Sequence, residues 1–338
     1  MHHAPEALVS TVEIIDIDVG TTTRVQLKVE HNGPENLPRQ WFIKMPSLAW
    51  RARAITALPR LLKTEVHFYQ CIVSSLPVIT APVLAAASQF RQGSTLVFAN
   101  VAETGALPGQ SGEALSLSQA QAVIKQLALF HAQFWNKTHL NPDFNLLAGP
   151  TRRLEDALGT WLAVPLMRSG LNKAKTAIPL PIQTGAIAYA RQRRKVMALL
   201  NQGPQTLIHG DCHPGNFFWQ DGKPGFLDWQ LVRIGEGLAD VAYFLATAVD
   251  PSLRREQEIS LVNLYCQTLI NQGITSLDFA TAWQRYRMHL CYPFEAMVVT
   301  LAIGGMMRLD SNMIMLNRAA AAIADHQVFD LLGIKTEA

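Results

Sequence analysis

The chain has 338 residues, 49% of them hydrophobic and only 16% charged, with a net charge of +3. That apolar content is ample for two cores, and together with the low charge it excludes a protein built on long disordered segments. Lys and Arg are dispersed apart from Arg191, Arg193, Arg194 and Lys195, a run that reads as the solvated face of a helix, so no nucleic-acid partner is expected. Cys71, Cys212, Cys266 and Cys291 stand far apart with no Cys-x-x-Cys, which suits a reducing cytoplasm and offers neither a disulfide framework nor a zinc site. No secretory pattern opens the chain, and the most apolar stretch, 297–307, is too short for a membrane span. A cytoplasmic location is the expectation.

In chain order, residues 12–19, 22–29 and 40–45 read as three strands of a small antiparallel sheet, with Gly20 to Thr23 at the first turn and Lys44 at the end of the third strand. Residues 61–72 read as a helix that turns Leu62, Val66 and Tyr69 to a core and carries Glu65. Residues 77–86 read as a loop entering a strand, 94–101 as a further strand, and the Gly-, Ser- and Pro-rich 104–116 as a linker. The expected division is a first lobe over 1–102 and a helical lobe over 103–338. Ser118 is placed to cap a helix running to Asn136, with Val123, Leu127, Phe134 and Trp135 at helical spacing and His131 as a buried, hydrogen-bonded core residue. A Pro- and Asn-containing stretch from Asn141 to Pro150 separates it from helical segments over 153–167 and 184–201.

The chemistry concentrates in Thr206-Leu-Ile-His-Gly-Asp-Cys-His-Pro-Gly-Asn-Phe-Phe-Trp219 and Pro224-Gly-Phe-Leu-Asp-Trp-Gln230. Leu207 and Ile208 end a short strand, and Gly210, Pro214 and Gly215 break regular structure, so His209, Asp211, His213 and Asn216 fall on a loop. Phe217 to Trp219, the pair Asp221-Gly222, and Phe226-Leu227 read as a hairpin that would return Asp228 beside that loop. Asp211, Asn216 and Asp228 fall at the intervals of the Asp and Asn of the protein-kinase catalytic loop and of the further Asp after a short hairpin, a pattern this stretch resembles. Two carboxylates and an amide are what phosphoryl transfer asks of a protein, because the work is positioning and charge neutralisation. In that reading Asp211 accepts the proton of the attacking hydroxyl, and Asn216 and Asp228 hold Mg²⁺. His209 and His213 read as structural residues, and Cys212 as a space-filling one. Beyond the motif, Asp240 sits in the opening turn of a helix that begins near Gly237, followed by helices over 253–271, 277–288, 292–308 and 311–331. The span 283–318 offers Glu295 and Asp310 against Arg285, Arg287, Arg308 and Arg318, with six methionines and several aromatics, so an acceptor lodged there would be neutral or anionic with an apolar body.

His209-Gly-Asp-x-His-Pro-x-Asn216 followed by Leu227-Asp-Trp-Gln230 resembles the aminoglycoside phosphotransferase and choline kinase superfamily, and Glu65-Val-His-Phe-Tyr69 resembles its ecdysteroid-kinase-like branch. The resemblance implies an α+β, bilobal protein-kinase-like fold with a small antiparallel-sheet N-lobe and a mainly helical C-lobe. It also implies ATP or GTP and Mg²⁺ as cofactors and a small-molecule hydroxyl acceptor. Lys44, in Phe42-Ile-Lys-Met45, would contact the phosphates and be fixed by Glu65, while backbone groups at Asn100 and Val101 would pair with the base. Asp240 would orient the catalytic loop from below. The turn at Gly20 departs from the Gly-x-Gly-x-x-Gly pattern that covers phosphates in protein kinases. Two other readings stay open: a catalytically inactive kinase-like nucleotide-binding module, which an intact Asp211 argues against, and a metal-dependent phosphoesterase, suggested by Gly210-Asp-Cys-His213.

Overall fold

The computed structural model describes residues 6–48, 61–89, 93–138, 142–148 and 150–335. It divides into two compact units, Met1–Gly109 with Phe217–Val232, and Gln110–Asn216 with Arg233–Ala338.

The first unit is built on a five-stranded antiparallel sheet in the order β1 (Val9–Val19), β2 (Thr22–His31), β3 (Gln40–Pro46), β6 (Gly93–Ala99), β5 (Val83–Gln89). Alternation along β2 puts Val25, Leu27 and Val29 on one face, where Trp41, Ile43 and Met45 of β3 pack against them. β1 is an edge strand exposed along its whole length, with irregularities in its pairing between Val9 and Thr11 and between Ile14 and Asp16. The turn between β1 and β2 is tied down: Ser47 Oγ donates to the Gly20 carbonyl at 2.8 Å, and the Leu48 amide donates to Thr23 Oγ1 at 2.9 Å.

A second sheet in this unit runs β4 (Ile79–Thr80), β10 (Lys223–Phe226), β9 (Phe217–Gln220), β7 (Leu107–Pro108), with β4 and β10 parallel. The expected hairpin is therefore β9–β10, and its tight turn is the Asp221-Gly222 pair with φ of 51° and 74°. The helix Leu61–Cys71 packs on β5, β6 and the single turn Trp229–Leu231. Its Phe68 ring stacks on the fully buried Trp229 with centroids 4.3 Å apart.

The second unit is mainly helical, with one two-stranded ribbon, β8 (Gln205–Ile208) with β11 (Arg233–Glu236). The helix Leu117–Phe134 lies along Pro251–Asn271 and beneath β8, and the helix Cys291–Ile303 lies along Pro150–Ala174. The cap of the first is Ser116, not Ser118: Ser116 and Gln119 form a reciprocal capping box. The helix expected over 292–308 stops at Ile303, because Gly304 and Gly305 both take positive φ. No helix among the described residues is long and apolar enough to cross a membrane. Asn141 and Gly149, within the stretch read as a separator, lie outside the described residues.

The basic run also needs correcting. Arg193 does not face solvent: its Nε donates to Glu295 Oε1 at 2.6 Å, and Tyr189 donates its hydroxyl to the other oxygen at 2.6 Å. A buried carboxylate drew this arginine inward, which a helical wheel of the run alone cannot reveal.

Candidate functional site

In the first unit, three of the expected residues meet. Lys44 on β3 sends its ammonium to Glu65 Oε2 at 2.6 Å and to Asp228 Oδ1 at 2.7 Å, and Lys44 and Glu65 are almost wholly buried. Glu65 comes from the middle of the helix Leu61–Cys71 and also accepts from the backbone of Trp229. It thus ties the lysine to the turn that carries Asp228. Asp228 itself takes the left-handed conformation, φ 58° and ψ 66°, which Asp tolerates better than most residues and which turns the chain sharply after β10. Burial works against the Lys44 ammonium, but the charges of Asp228 and Glu65 win and hold its pKa above the ordinary lysine value. For Glu65 burial wins: with Asp228 adding to it, the carboxyl is pushed up to about 7 against the pull of Lys44.

Asn100 is used internally at the end of β6. Its amide N–H donates to the Gln40 carbonyl at 2.8 Å, its carbonyl accepts from the Glu103 amide at 3.0 Å, and its side chain caps the turn Val101–Thr104. The Val101 carbonyl accepts from Thr104 Oγ1 at 2.8 Å and from the Ala106 amide at 3.3 Å.

In the second unit, the loop after β8 is held from inside by one buried aspartate. Asp240 Oδ2 accepts from the His209 amide at 2.7 Å and from His131 Nε2 at 3.2 Å, and Oδ1 accepts from the Gly210 amide at 2.8 Å. Burial alone would raise the Asp240 pKa, but the His131 and backbone hydrogen bonds outweigh it and hold the carboxyl below its ordinary value. His131 spans from Asp240 to the Tyr265 hydroxyl, 2.8 Å away, which is the core role expected for it.

Immediately after Gly210, the Asp211 carboxylate is clamped on both oxygens. Tyr243 donates to Oδ1 at 2.6 Å and Asn216 Nδ2 donates to Oδ2 at 3.0 Å. Asn216 Nδ2 also donates to the Asp211 carbonyl at 2.9 Å, so the amide nitrogen is spent inside the loop and Oδ1 is the atom it has left to offer a cation. His213 Nδ1 accepts from the Gly215 amide at 3.1 Å, and its Nε2 lies 3.7 Å from Asp211 Oδ2, consistent with a loop-pinning role. Gly215 is required for close approach, since a Cβ there would run into Ser111 Oγ. Burial, with Asp240 and Asp211 adding to it, pushes the Cys212 thiol well above its ordinary range, as befits a space-filling residue.

Sequence reasoning missed Tyr243. The signal was present, because Tyr243 lies three residues after Asp240 on the helix Leu238–Ala248 and so on the same face. It also missed the way Tyr292 donates to the Gly210 carbonyl at 3.1 Å, a contact across 82 residues. The acceptor-side charge count is revised too. Arg285 is consumed by Glu236, Arg318 by Asp250 and three backbone carbonyls, and Glu295 by Arg193 and Tyr189. Met288, Met297 and Met315 are core, while Met306, Met307 and Met313 remain partly exposed.

The model of the phosphotransferase enzyme family, APH, matches residues 36–287. No curated protein matches the sequence. Among solved structures, choline kinase from Cryptosporidium parvum aligns with a TM-score of 0.53 at 11% identity, covering 96% of this chain and 91% of its own. A putative aminoglycoside phosphotransferase from Ralstonia eutropha aligns at 0.51 and 12% identity, covering 96% and 95%. A GDP complex of an aminoglycoside 2'-phosphotransferase-IIIa variant aligns at 0.51 and 12%, covering 96% and 93%. At such identities these likenesses speak for the fold, and the kinase-like, α+β bilobal architecture read from the sequence is the one observed.

Proposed function

Since the chain belongs to the phosphotransferase enzyme family, as a small-molecule phosphotransferase acting on hydroxyl groups, we propose that it transfers the γ-phosphoryl group of ATP or GTP to an acceptor that is neutral or anionic and has an apolar body. The observation that carries the reading is the Asp211 carboxylate, held by Tyr243 and Asn216 on a loop that Asp240 anchors through two backbone amides.

In this mechanism Asp211 accepts the acceptor's hydroxyl proton as that oxygen bonds to phosphorus, and the bond from phosphorus to the bridging oxygen breaks to release the nucleoside diphosphate. Hydrogen bonds from Tyr243 and Asn216 fix the carboxylate's direction, so little reorganisation is left for the reacting state. Lys44, aimed by Glu65, neutralises the donor's phosphates. Asn100 would meet the base through the second lone pair of its carbonyl, and Val101, whose carbonyl is already used by Thr104 and Ala106, through its backbone amide.

Taken singly, Asn216 Oδ1 and the Asp228 carboxylate are each hard oxygen donors of the kind Mg²⁺ takes, and each would serve as a ligand to an ion whose remaining positions phosphate oxygens and water supply. When bound, the ion would neutralise charge on the triphosphate. The aim of Asp211 belongs to the chain's own residues.

The test is nucleotide consumption by the purified protein over a panel of hydroxylated metabolites, sterols, macrolides and aminoglycosides, with Asp211→Asn alongside. Acceptor-dependent turnover should fall on the order of a hundredfold or more in the variant while nucleotide affinity holds. Equal turnover by both proteins would remove Asp211 from its role, and turnover restricted to polycationic acceptors would refute the acceptor class.

A further inference from the structure

Four partly or fully buried arginines of the second unit are each matched to a carboxylate: Arg193 to Glu295, Arg254 to Glu258 and Asp325, Arg285 to Glu236, and Arg318 to Asp250. Arg233 and Arg287 are different. Both are half-buried, and neither has a carboxylate within ion-pair distance among the described residues. Arg287 turns to the His326 carbonyl, while Arg233 lies against an aromatic ring. Its guanidinium carbon lies 4.6 Å from the centroid of the Tyr292 ring. The charges of Asp156 and Asp240 reach it only through space, and both oxygens of Asp240 are taken by His131 and the loop amides.

Its position matters as much as its charge. Arg233 pairs with Ile208 in the β8–β11 ribbon, and the next residue after Ile208 opens the catalytic loop. Tyr292, on which it stacks, donates to the Gly210 carbonyl at 3.1 Å and lies 5.7 Å from the ring of Tyr243, the residue that clamps Asp211. A chain of side-chain contacts therefore runs from Arg233 through Tyr292 and Tyr243 to the Asp211 carboxylate. One edge of the guanidinium is also hydrogen-bonded to the Tyr292 side chain, and stacking occupies its face. This leaves the donors of the other edge to take a planar anion with two parallel hydrogen bonds.

We propose that Arg233, seated on Tyr292, is the anchor for a carboxylate on the acceptor, so that the preferred acceptors are hydroxy acids whose alcohol reaches Asp211. This rests on the phosphotransferase reading above and narrows its acceptor from neutral or anionic to anionic. Tyr292 is the positioning residue: its hydroxyl fixes the ring against the loop backbone, and the ring fixes the guanidinium plane.

Two measurements test it, on wild type, Arg233→Met and the conservative Arg233→Lys. The probes are ω-hydroxy carboxylates of increasing chain length and the matching primary amides. In calorimetric titrations without nucleotide, at least one carboxylate should bind wild type about 10–100-fold more tightly than its amide, the range set by a charge-assisted pair. Arg233→Met should lose that difference and leave amide binding alone, and Arg233→Lys, which keeps the charge without the fork, should fall between. In turnover with ATP, the same variants should raise KM for the carboxylate with little change in kcat. If wild type binds no carboxylate better than its amide, or Arg233→Met keeps the preference, the anchor is refuted. If the binding preference follows Arg233 but no probe or panel compound is phosphorylated, the anion site stands and the phosphotransfer reading falls.

Discussion

Asp240→Asn gives the most direct test of how the loop after β8 is held. In the wild type the His209 and Gly210 amides and His131 Nε2 converge on one carboxylate in a fully buried place, and the Cys212 thiol is hydrogen-bonded to it as well. The amide of asparagine keeps one acceptor oxygen and replaces the other by a donor. At least one loop N–H, or the imidazole, then faces an N–H instead of an oxygen. Each buried polar group left without a partner costs about 1–3 kcal/mol, and bonds to a charged acceptor lie at the upper end, so one or two losses total roughly 2–5 kcal/mol. Against a total stability of about 5–15 kcal/mol this is large but survivable.

The assay is urea unfolding of wild type and variant followed by circular dichroism and fluorescence. At neutral pH the variant's midpoint should drop by the amount above, with unchanged slope. The pH dependence carries a sign. Because the folded-state pKa of Asp240 lies below its ordinary 3.8, the stabilisation is fully present above that value and is lost as pH falls through the folded pKa. The gap between the proteins should therefore be full at neutral pH and close only in strong acid. A difference below about 0.5 kcal/mol at neutral pH would refute the account of Asp240 as the loop's anchor, since surface-like substitutions cost no more than that.

Glu65→Gln should separate stability from function. With its carboxyl pushed up to about 7 from an ordinary 4.5, Glu65 contributes stability that is fully present below the lower value and lost as pH rises through the higher. Wild type should lose stability relative to the variant over that window, while its nucleotide affinity rises as the ionised carboxylate takes hold of Lys44. Melting temperatures and nucleotide titrations across the window check both, and parallel pH profiles for the two proteins would overturn the assignment. Asp228→Ala should abolish Mg²⁺-dependent nucleotide binding with the fold intact by circular dichroism. Unchanged Mg²⁺–nucleotide affinity in the folded variant would mark Asp228 as structural.

The parts of this protein that could be read from sequence are those fixed by short-range rules. The β9–β10 hairpin follows from Asp221-Gly222 between alternating apolar runs, because both turn residues need positive φ and that pair accepts it cheaply. The loop after β8 follows from glycines and a proline that break strand and helix alike. The Ser116 cap shows the limit of such rules. Ser116-Leu-Ser-Gln119 and Ser118-Gln-Ala-Gln121 both satisfy the capping-box pattern. The choice fell to Ser116, whose reciprocal bonds with Gln119 are both made, and the helix that follows buries Ala120, Val123, Ile124 and Leu127 together.

What could not be read is set by contacts between distant residues, where one favourable partner redirects a side chain that local pattern would send elsewhere. Arg193 stands in a run that looks solvated, yet Glu295, 102 residues on, draws it inward. The parallel pairing of β4 with β10 joins Ile79 to Gly225, and nothing in the four residues of β10 announces a second neighbour. The same reasoning explains why counting charges over 283–318 was a poor guide to the acceptor. A charge matched inside the protein cannot recognise a ligand without first breaking its own pair, at a cost of several kcal/mol when buried. Arg285, Arg318 and Glu295 therefore drop out of the acceptor's electrostatics. Arg233, outside the counted segment and without a carboxylate partner within ion-pair distance among the described residues, enters it. A charge that selects an acceptor must be one that folding has left without a counter-ion, as it has Arg233 and Arg287 among the described residues. Of these, Arg233 is the one joined through Tyr292 to the loop that carries Asp211.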